Sequence, residues 1–162
     1  MTWVFAEVNV EASPLTAFEL FTAHVDQWWR RGERYGGPDV VGHRFDCFVG
    51  GRFVEVLSSG EAELGTITCW DPPWRLAFTW RQGRWRPEER TDVEVTFTPS
   101  GVGTRVRLEH RGFEDVTSDV GCDVGYRAGW TELLGWLRES ALVKQGEEHA
   151  REPLDHAAES RP

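Results

Sequence analysis

The sequence predicts an α+β domain in which a strongly curved, seven-strand antiparallel sheet wraps around one long C-terminal helix. Three observations predict this class: apolar and polar residues alternate with a period of two in seven segments, an apolar stripe at helical spacing runs through residues 126–141, and the 162-residue length fits one domain. We assign residues 1–144 to this domain and residues 145–162 to a disordered acidic tail. Two short helices are expected directly after the first strand.

The N-terminal part of the chain predicts one strand, then the two helices. Residues 3–11 alternate, and four apolar side chains share one face: Val4, Ala6, Val8 and Val10. Ser13 can cap a helix N-terminus, and Pro14 suits the first helical position. Apolar residues then recur at helical spacing up to Trp28-Trp29. Residues 30–42 are rich in glycine and lose any apolar period, which predicts a long loop.

The middle of the chain predicts six more strands arranged as a meander. Gly50-Gly51 is typical of a two-residue hairpin, because both positions can take positive φ. Pro72 and Pro73 end a strand, since proline cannot donate a ladder hydrogen bond. The predicted strands lie at residues 44–49, 52–57, 64–70, 74–81, 92–98 and 104–111.

The last ordered element is predicted to be a helix over residues 120–143. Its apolar stripe comprises Tyr126, Trp130, Leu133, Leu134, Leu137 and Ala141. Gly121, Gly125 and Gly129 recur every four residues. Either they leave space for a ligand beside the helix, or residues 117–124 are irregular and the helix begins near Gly125. Residues 145–162 contain few apolar side chains, so they cannot bury enough surface to become ordered.

Composition excludes several classes of function. The formal charge of -9, from 27 acidic and 18 basic residues, disfavours binding to nucleic acid. No window predicts a membrane span and no secretory signal is evident, so we expect a cytoplasmic protein. The three cysteines, Cys47, Cys69 and Cys122, form no Cys-x-x-Cys pair. No dinucleotide, phosphate-loop, zinc-hydrolase or nucleophile-elbow motif occurs, so we predict no cofactor and no metal.

Several short motifs occur in the order found in one known family. They are Val8-Asn9-Val10-Glu11-Ala12-Ser13-Pro14, Trp28-Trp29, Gly50-Gly51-Arg52-Phe53, Asp71-Pro72-Pro73-Trp74, Phe78-Thr79-Trp80, Gly103-Thr104-Arg105-Val106, Leu108-Glu109-His110, Gly112-Phe113 and Gly129-Trp130. Over residues 3–143 the chain resembles the START-like (SRPBCC) superfamily, in the branch named after the activator of heat-shock protein 90 ATPase. The resemblance implies a helix-grip fold, often with an internal apolar cavity. It also implies a protein that binds lipids, hormones or polyketides, acts as a cyclase, or serves as a co-chaperone.

We predict a ligand site between the curved sheet and the C-terminal helix. Its predicted residues are Trp28, Trp29, Phe53, Phe78, Trp80, Phe97, His110, Tyr126, Trp130 and Leu133. Aromatic walls with a few polar groups are typical of small-molecule pockets, and the alternative is that these side chains form a solid core. Trp28 and Trp29, with the loop at residues 30–42, are expected to gate access.

Two residues are candidates for acid-base chemistry. His110 shares the inward face of its strand with Val106 and Leu108, where it acts either as a general base or as a hydrogen-bonded core residue. Glu55 shares its face with Phe53, so we expect an inward carboxylate whose pKa is raised if it is buried. A metal site built from His43, Cys47 and His110 is disfavoured, because no ligand spacing repeats.

A third group of polar candidates follows Trp80. Arg81 and Arg84 could pair with a carboxylate on a ligand at the mouth of the cavity, or residues 80–90 could form a solvated hairpin tip. The favoured function is binding of a small hydrophobic ligand, without a demonstrable catalytic motif. The alternatives are a cyclase or hydrolase that uses the same cavity, and a co-chaperone-like module that binds a chaperone or a second copy of the chain.

Overall fold

The computed structural model describes residues 2–29 and 37–151, and it confirms the predicted fold class. The strands of this part are β1 (Trp3–Val10), β2 (Val40–Phe45), β3 (Arg52–Leu57), β4 (Gly60–Asp71), β5 (Arg75–Trp80), β6 (Thr91–Ser100) and β7 (Gly103–Arg111). The helices are α1 (Pro14–Phe21), α2 (Val25–Trp28) and α3 (Asp123–Arg151). Single turns of 3-10 helix lie at Gly37–Asp39 and Phe113–Asp115.

The seven strands form one antiparallel sheet in the order β1-β7-β6-β5-β4-β3-β2. The N-terminal strand pairs with the last one, so β1 and β2 are the two edges. Alternation places one face of each strand in the core; in β7 the side chains of Thr104, Val106, Leu108 and His110 are buried. The curved sheet encloses α3, whose stripe from Tyr126 to Ala141 is buried as predicted.

Local sequence signals explain two features of this framework. Ser13 caps α1, because its Oγ accepts a hydrogen bond of 3.2 Å from the Thr16 N–H, and Pro14 occupies the first helical turn. In β4 only glycine fits at position 65, since a Cβ there would lie 1.6 Å from the Thr79 carbonyl oxygen. The sheet can therefore fold closely upon itself at this point.

The predicted two-residue hairpin at Gly50-Gly51 is wrong. The strand before it is Val40–Phe45, and a six-residue connection over residues 46–51 leads to β3. The Gly50 N–H donates to the Ile67 carbonyl oxygen over 2.8 Å, and the Ile67 N–H donates to the Gly51 carbonyl oxygen over 2.8 Å. The two glycines therefore pair with β4 and do not form the turn of the hairpin.

The C-terminal helix differs from its predicted bounds at both ends. It begins at Asp123, after Gly121 has taken a φ of +83°, and Gly125 is exposed. Residues 117–122 are thus irregular, and the glycines do not line a space beside the helix. Residues 145–151, predicted to be disordered, continue the helix, because Gln, Glu and Ala favour helix even where they bury little surface. Residues 152–162 lie outside the described part.

None of the helices in the described part is long and apolar enough to cross a bilayer.

Candidate ligand site

The space between the sheet and α3 is filled by aromatic rings. All ten side chains predicted to bind a ligand are buried, none more than 3% exposed. Trp80 lies at the centre, with its ring centroid 5.5 Å from that of Trp130 and 6.3 Å from that of Trp29. Towards β2, the rings of Phe45 and Phe53 stack at 4.0 Å with an interplanar angle of 7°. The structure therefore favours the solid core over an empty hollow at these residues.

His110 joins a hydrogen-bonded chain inside this core. The Trp130 Nε1–H donates to His110 Nδ1 over 3.0 Å, and His110 Nε2 lies 2.6 Å from Thr91 Oγ1. An indole nitrogen can only donate, so Nδ1 is the unprotonated nitrogen and Nε2 carries the proton. Thr91 Oγ1 in turn donates to the Trp80 carbonyl oxygen over 3.3 Å.

This environment makes His110 unsuited to proton transfer. Its side chain is 0% exposed, and burial lowers the pKa of His110 from 6.5 to about 3. A general base needs a lone pair within reach of its substrate, whereas the lone pair of His110 is occupied by the Trp130 N–H. The geometry therefore favours the hydrogen-bonded core histidine over the acid-base residue.

An open cleft of about 430 Å³ borders the aromatic core, and we call it the rim cleft. Its lining residues in the described part are Glu55, Leu64, Trp80, Gln82, Gly83 and Arg84. They come from β3, β4, the end of β5 and the loop that follows β5. Trp80 thus contributes one part of its indole to the core and another part to the wall of the cleft.

Glu55 is the most unusual residue of the rim cleft. Its side chain points inward as predicted and is 5% exposed. Within the part of the chain that the structure describes, its carboxylate has no hydrogen-bond donor and no ion-pair partner. Burial therefore raises the pKa of Glu55 above its ordinary value of 4.5, with no charged neighbour to oppose the shift. Buried carboxylates normally have partners, so this residue is a candidate for contact with a ligand.

His43 is a polar residue of this region that the sequence analysis did not place in the ligand site. It lies directly opposite Glu55 in the β2/β3 pair, is 7% exposed, and has its ring centroid 4.9 Å from that of Trp29. The signal was the alternation of His43 with Phe45, which the misplaced strand at residues 44–49 concealed. Trp29 is also notable, because its buried Nε1–H meets no acceptor among the described residues.

The loop after β5, residues 81–90, forms one rim of the cleft, and we call it the rim loop. Glu89 fixes it to the segment before α3: its Oε1 accepts from the Thr117 N–H at 2.8 Å and from the Ser118 N–H at 3.0 Å. The Ser118 hydroxyl donates to the other carboxylate oxygen. The hydrogen bond from the Ser118 hydroxyl is the leading reason why the pKa of Glu89 is lowered to about 2.

Asp119 makes the reciprocal connection to the rim loop. Its Oδ2 accepts hydrogen bonds from Arg84 Nε at 3.0 Å and from Trp85 Nε1 at 3.1 Å. Trp85 is 3% exposed and packs on Tyr126, with ring centroids 6.4 Å apart. The alternative of a solvated hairpin tip over residues 80–90 is therefore wrong at Trp85 and Glu89.

The arginines of the rim loop are engaged by the protein itself. Arg81 donates from Nη2 to the Trp85 carbonyl oxygen over 3.2 Å, and Arg84 Nη2 lies 2.8 Å from Asp119 Oδ2. Neither guanidinium is set aside for a ligand carboxylate. Residues 30–36, most of the loop predicted to gate access beside Trp29, lie outside the described part.

Among the residues that the structure describes, no group of three His, Cys, Asp or Glu side chains is arranged to hold a metal ion. His43 lies on the edge strand β2, whereas His110 lies on β7, next to the opposite edge. The three cysteines are free thiols, and Cys47 is exposed.

A seven-strand antiparallel sheet curved around a long C-terminal helix defines a START-like, helix-grip domain, here with a packed aromatic interior and an open cleft at its rim. The chain belongs to the family described as Activator of Hsp90 ATPase homolog 1-like protein, which matches residues 11–141. The predicted resemblance is thereby confirmed.

Solved structures agree with this assignment. The anthrahydroquino-gamma-pyrone synthase Txn09, solved in complex with SUM, is 32% identical with a TM-score of 0.61, covering 86% of this chain and 97% of that one. A protein from Mesorhizobium loti is 22% identical with a TM-score of 0.66, covering 86% and 96%. An HSP90 activator from Plasmodium falciparum is 22% identical with a TM-score of 0.61, covering 82% and 89%. No curated protein matches the chain significantly.

Proposed function

We propose that this protein binds a small aromatic ligand in the rim cleft, with Trp80 as the wall and Glu55 as the polar contact. The observation that carries the proposal is the carboxylate of Glu55, which is 5% exposed and has no partner among the described residues. An unpartnered buried polar group costs about 1–3 kcal/mol, which a ligand that satisfies it would recover. A structural role offers no comparable reason for a carboxylate here.

The dimensions of the rim cleft suit a small ligand. Its volume of about 430 Å³ falls in the range typical of small-molecule sites. Because the interior rings occupy the space between the sheet and α3, the ligand lies beside Trp80 and Leu64, not at the centre of the fold. Removal of apolar ligand surface from water supplies affinity at about 25 cal/mol per Å², before the costs of association.

A cyclase-type enzyme is the second candidate, and it uses the same cleft. It is supported by the 32% identity to Txn09, which is described as a synthase, and by the raised pKa of Glu55. A carboxyl with a raised pKa can act as a general acid or base close to neutral pH. In this role Glu55 replaces His110, whose nitrogens are both engaged in the core.

A blocking substitution in the rim loop tests ligand binding. Gly83 lies on the rim with no atom within 4 Å of a Cβ built there, so Gly83→Trp adds an indole to the cleft without a clash. We expect this variant to bind 2-naphthol at least about tenfold more weakly than the unaltered chain, by isothermal titration calorimetry. Val102→Trp, at a turn residue that is 99% exposed, is the matched control. Equal affinity in both variants would contradict the proposal.

Three further expectations stay predictions: a chaperone as partner, a second copy as partner, and a cytoplasmic location. The Plasmodium relative is described as an HSP90 activator, but at 22% identity the likeness shows the fold alone. Stimulation of a chaperone ATPase by the purified chain would support the first of them.

A further inference from the structure

We propose that the rim cleft selects aromatic ligands whose polar group donates hydrogen bonds, that protonated amines bind most tightly, and that carboxylates are excluded. This inference rests on the proposed function and specifies its ligand class. It follows from the charges that line the cleft and from the partners that those charges already have.

The first step concerns the unmatched charge at the inner end of the cleft. Glu55 presents only oxygen atoms, so when it is ionised it can accept hydrogen bonds but cannot donate them. Its neighbours in the β3 pairings are His43 on β2 and Ala62 on β4, and neither Ala62 nor the apolar side chain of Leu64 can donate to it. A ligand donor therefore recovers the hydration that Glu55 lost on burial, whereas a ligand carboxylate adds repulsion.

The second step concerns the cations of the rim loop. Arg84 is paired with Asp119, with nitrogen to oxygen distances of 2.8 and 3.0 Å, so its charge is compensated. Arg81 donates to the carbonyl oxygens of Trp85 and Arg86. Counted over the described lining and its partners, Glu55 and Asp119 outweigh the single lining cation, Arg84. The cleft is thus electrostatically negative where a ligand head group would lie.

The third step concerns the walls and the whole chain. The indole of Trp80 offers a π face, which attracts an ammonium group more strongly than a neutral hydroxyl. The formal charge of -9 favours the approach of cations and opposes the approach of anions over longer distances. Both effects act in the same direction as the local charge balance.

A matched series of ligands tests this selectivity. The probes are 2-(1-naphthyl)ethylamine, 2-(1-naphthyl)ethanol and 1-naphthylacetate, which share one ring system and differ in head group. With the full chain at pH 7.5, we expect calorimetry to show the amine binding about tenfold more tightly than the alcohol, from one charge-assisted hydrogen bond, and the acid binding most weakly. In Glu55→Gln the amine and the alcohol should bind with equal affinity.

The outcomes separate this inference from the proposed function. If the alcohol binds the unaltered chain as tightly as the amine, or the acid binds best, the selectivity is overturned while ligand binding in the cleft stands. If neither these probes nor 2-naphthol binds, the proposed function itself fails. The series with the unaltered chain decides the matter even where Glu55→Gln does not fold. Retention of the amine preference in a folded Glu55→Gln would also overturn the inference.

Discussion

Replacement of Glu55 by methionine should stabilise the fold, although it removes the proposed ligand contact. Glu55 is 5% exposed, accepts no hydrogen bond from the described residues, and has its pKa raised by desolvation. Methionine has nearly the same length and no charge, so it fills the same space without the unsatisfied group. We expect the free energy of unfolding to rise by about 1–3 kcal/mol at pH 8, the usual cost of an unpaired buried polar group.

The gain should depend on pH, with a sign that follows from the pKa shift. The carboxyl of Glu55 has its folded-state pKa above 4.5, the value expected in the unfolded chain. Below pH 4.5 it is protonated in both states, so the native chain carries no ionisation penalty. As the pH rises through the folded-state pKa, the unfolded state releases its proton more readily, and the native chain loses stability. The difference between the variant and the native chain should therefore be small at pH 4 and larger at pH 8.

Urea unfolding at pH 4 and pH 8 measures this difference, and each kcal/mol should also raise the melting temperature by about 2–4 °C. Glu63→Met is the matched control, because Glu63 is an exposed acid on the neighbouring strand β4. A Glu55→Met variant that is less stable than the native chain at pH 8, or equally altered at both pH values, would refute the reasoning.

Three further predictions concern the core and the rim loop. The ring protons of His110 should show no NMR titration between pH 5 and pH 8, and the stability it contributes should fall as the pH drops from 6.5 towards 3, because its pKa is about 3 in the fold. Phe53→Ala should lower the free energy of unfolding by about 3–5 kcal/mol in urea, since Phe53 is 0% exposed. Glu89→Gln should speed hydrogen exchange at the Thr117 and Ser118 amides, which donate to the Glu89 carboxylate.

Each of these has a contradicting result. A midpoint near 6.5 for His110 would show that its ring is accessible to protons, with the partly exposed His24 serving as the titrating control. A Phe53→Ala variant within about 1 kcal/mol of the native chain would show that the site collapses around the lost ring. Unchanged exchange rates in Glu89→Gln, compared with the exposed Glu88→Gln, would show that the rim loop is fixed by other contacts.

The sheet could be predicted from the sequence because its cause is local. In β7 every second residue from Thr104 to His110 is apolar or buried, and a period of two places those side chains on one face whatever the strand pairs with. The hairpin before β3 failed for the opposite reason. Gly51 is required because a Cβ would lie 2.3 Å from the Asp46 carbonyl oxygen, and Gly50 pairs with Ile67, far along the chain.

The candidate site was predicted only in part. The parity of Glu55 with Phe53 predicted its inward direction, and the desolvation that raises its pKa followed from that direction. The partners of His110 could not be predicted, since Thr91 and Trp130 lie 19 and 20 residues away and only tertiary packing brings them to it. Likewise, no spacing indicates that Glu89 reaches the segment before α3, 28 residues away.

The chain of hydrogen bonds from Trp130 through His110 and Thr91 to the backbone of Trp80 has a mechanical consequence. Flat rings in contact can slide over one another at little cost, but directional bonds resist sliding. This line of polar atoms joins the long helix to three neighbouring strands and so fixes the axial position of the helix against the sheet. The interior consequently cannot widen by translation of the helix. A guest molecule must fit the edge of the protein as it stands.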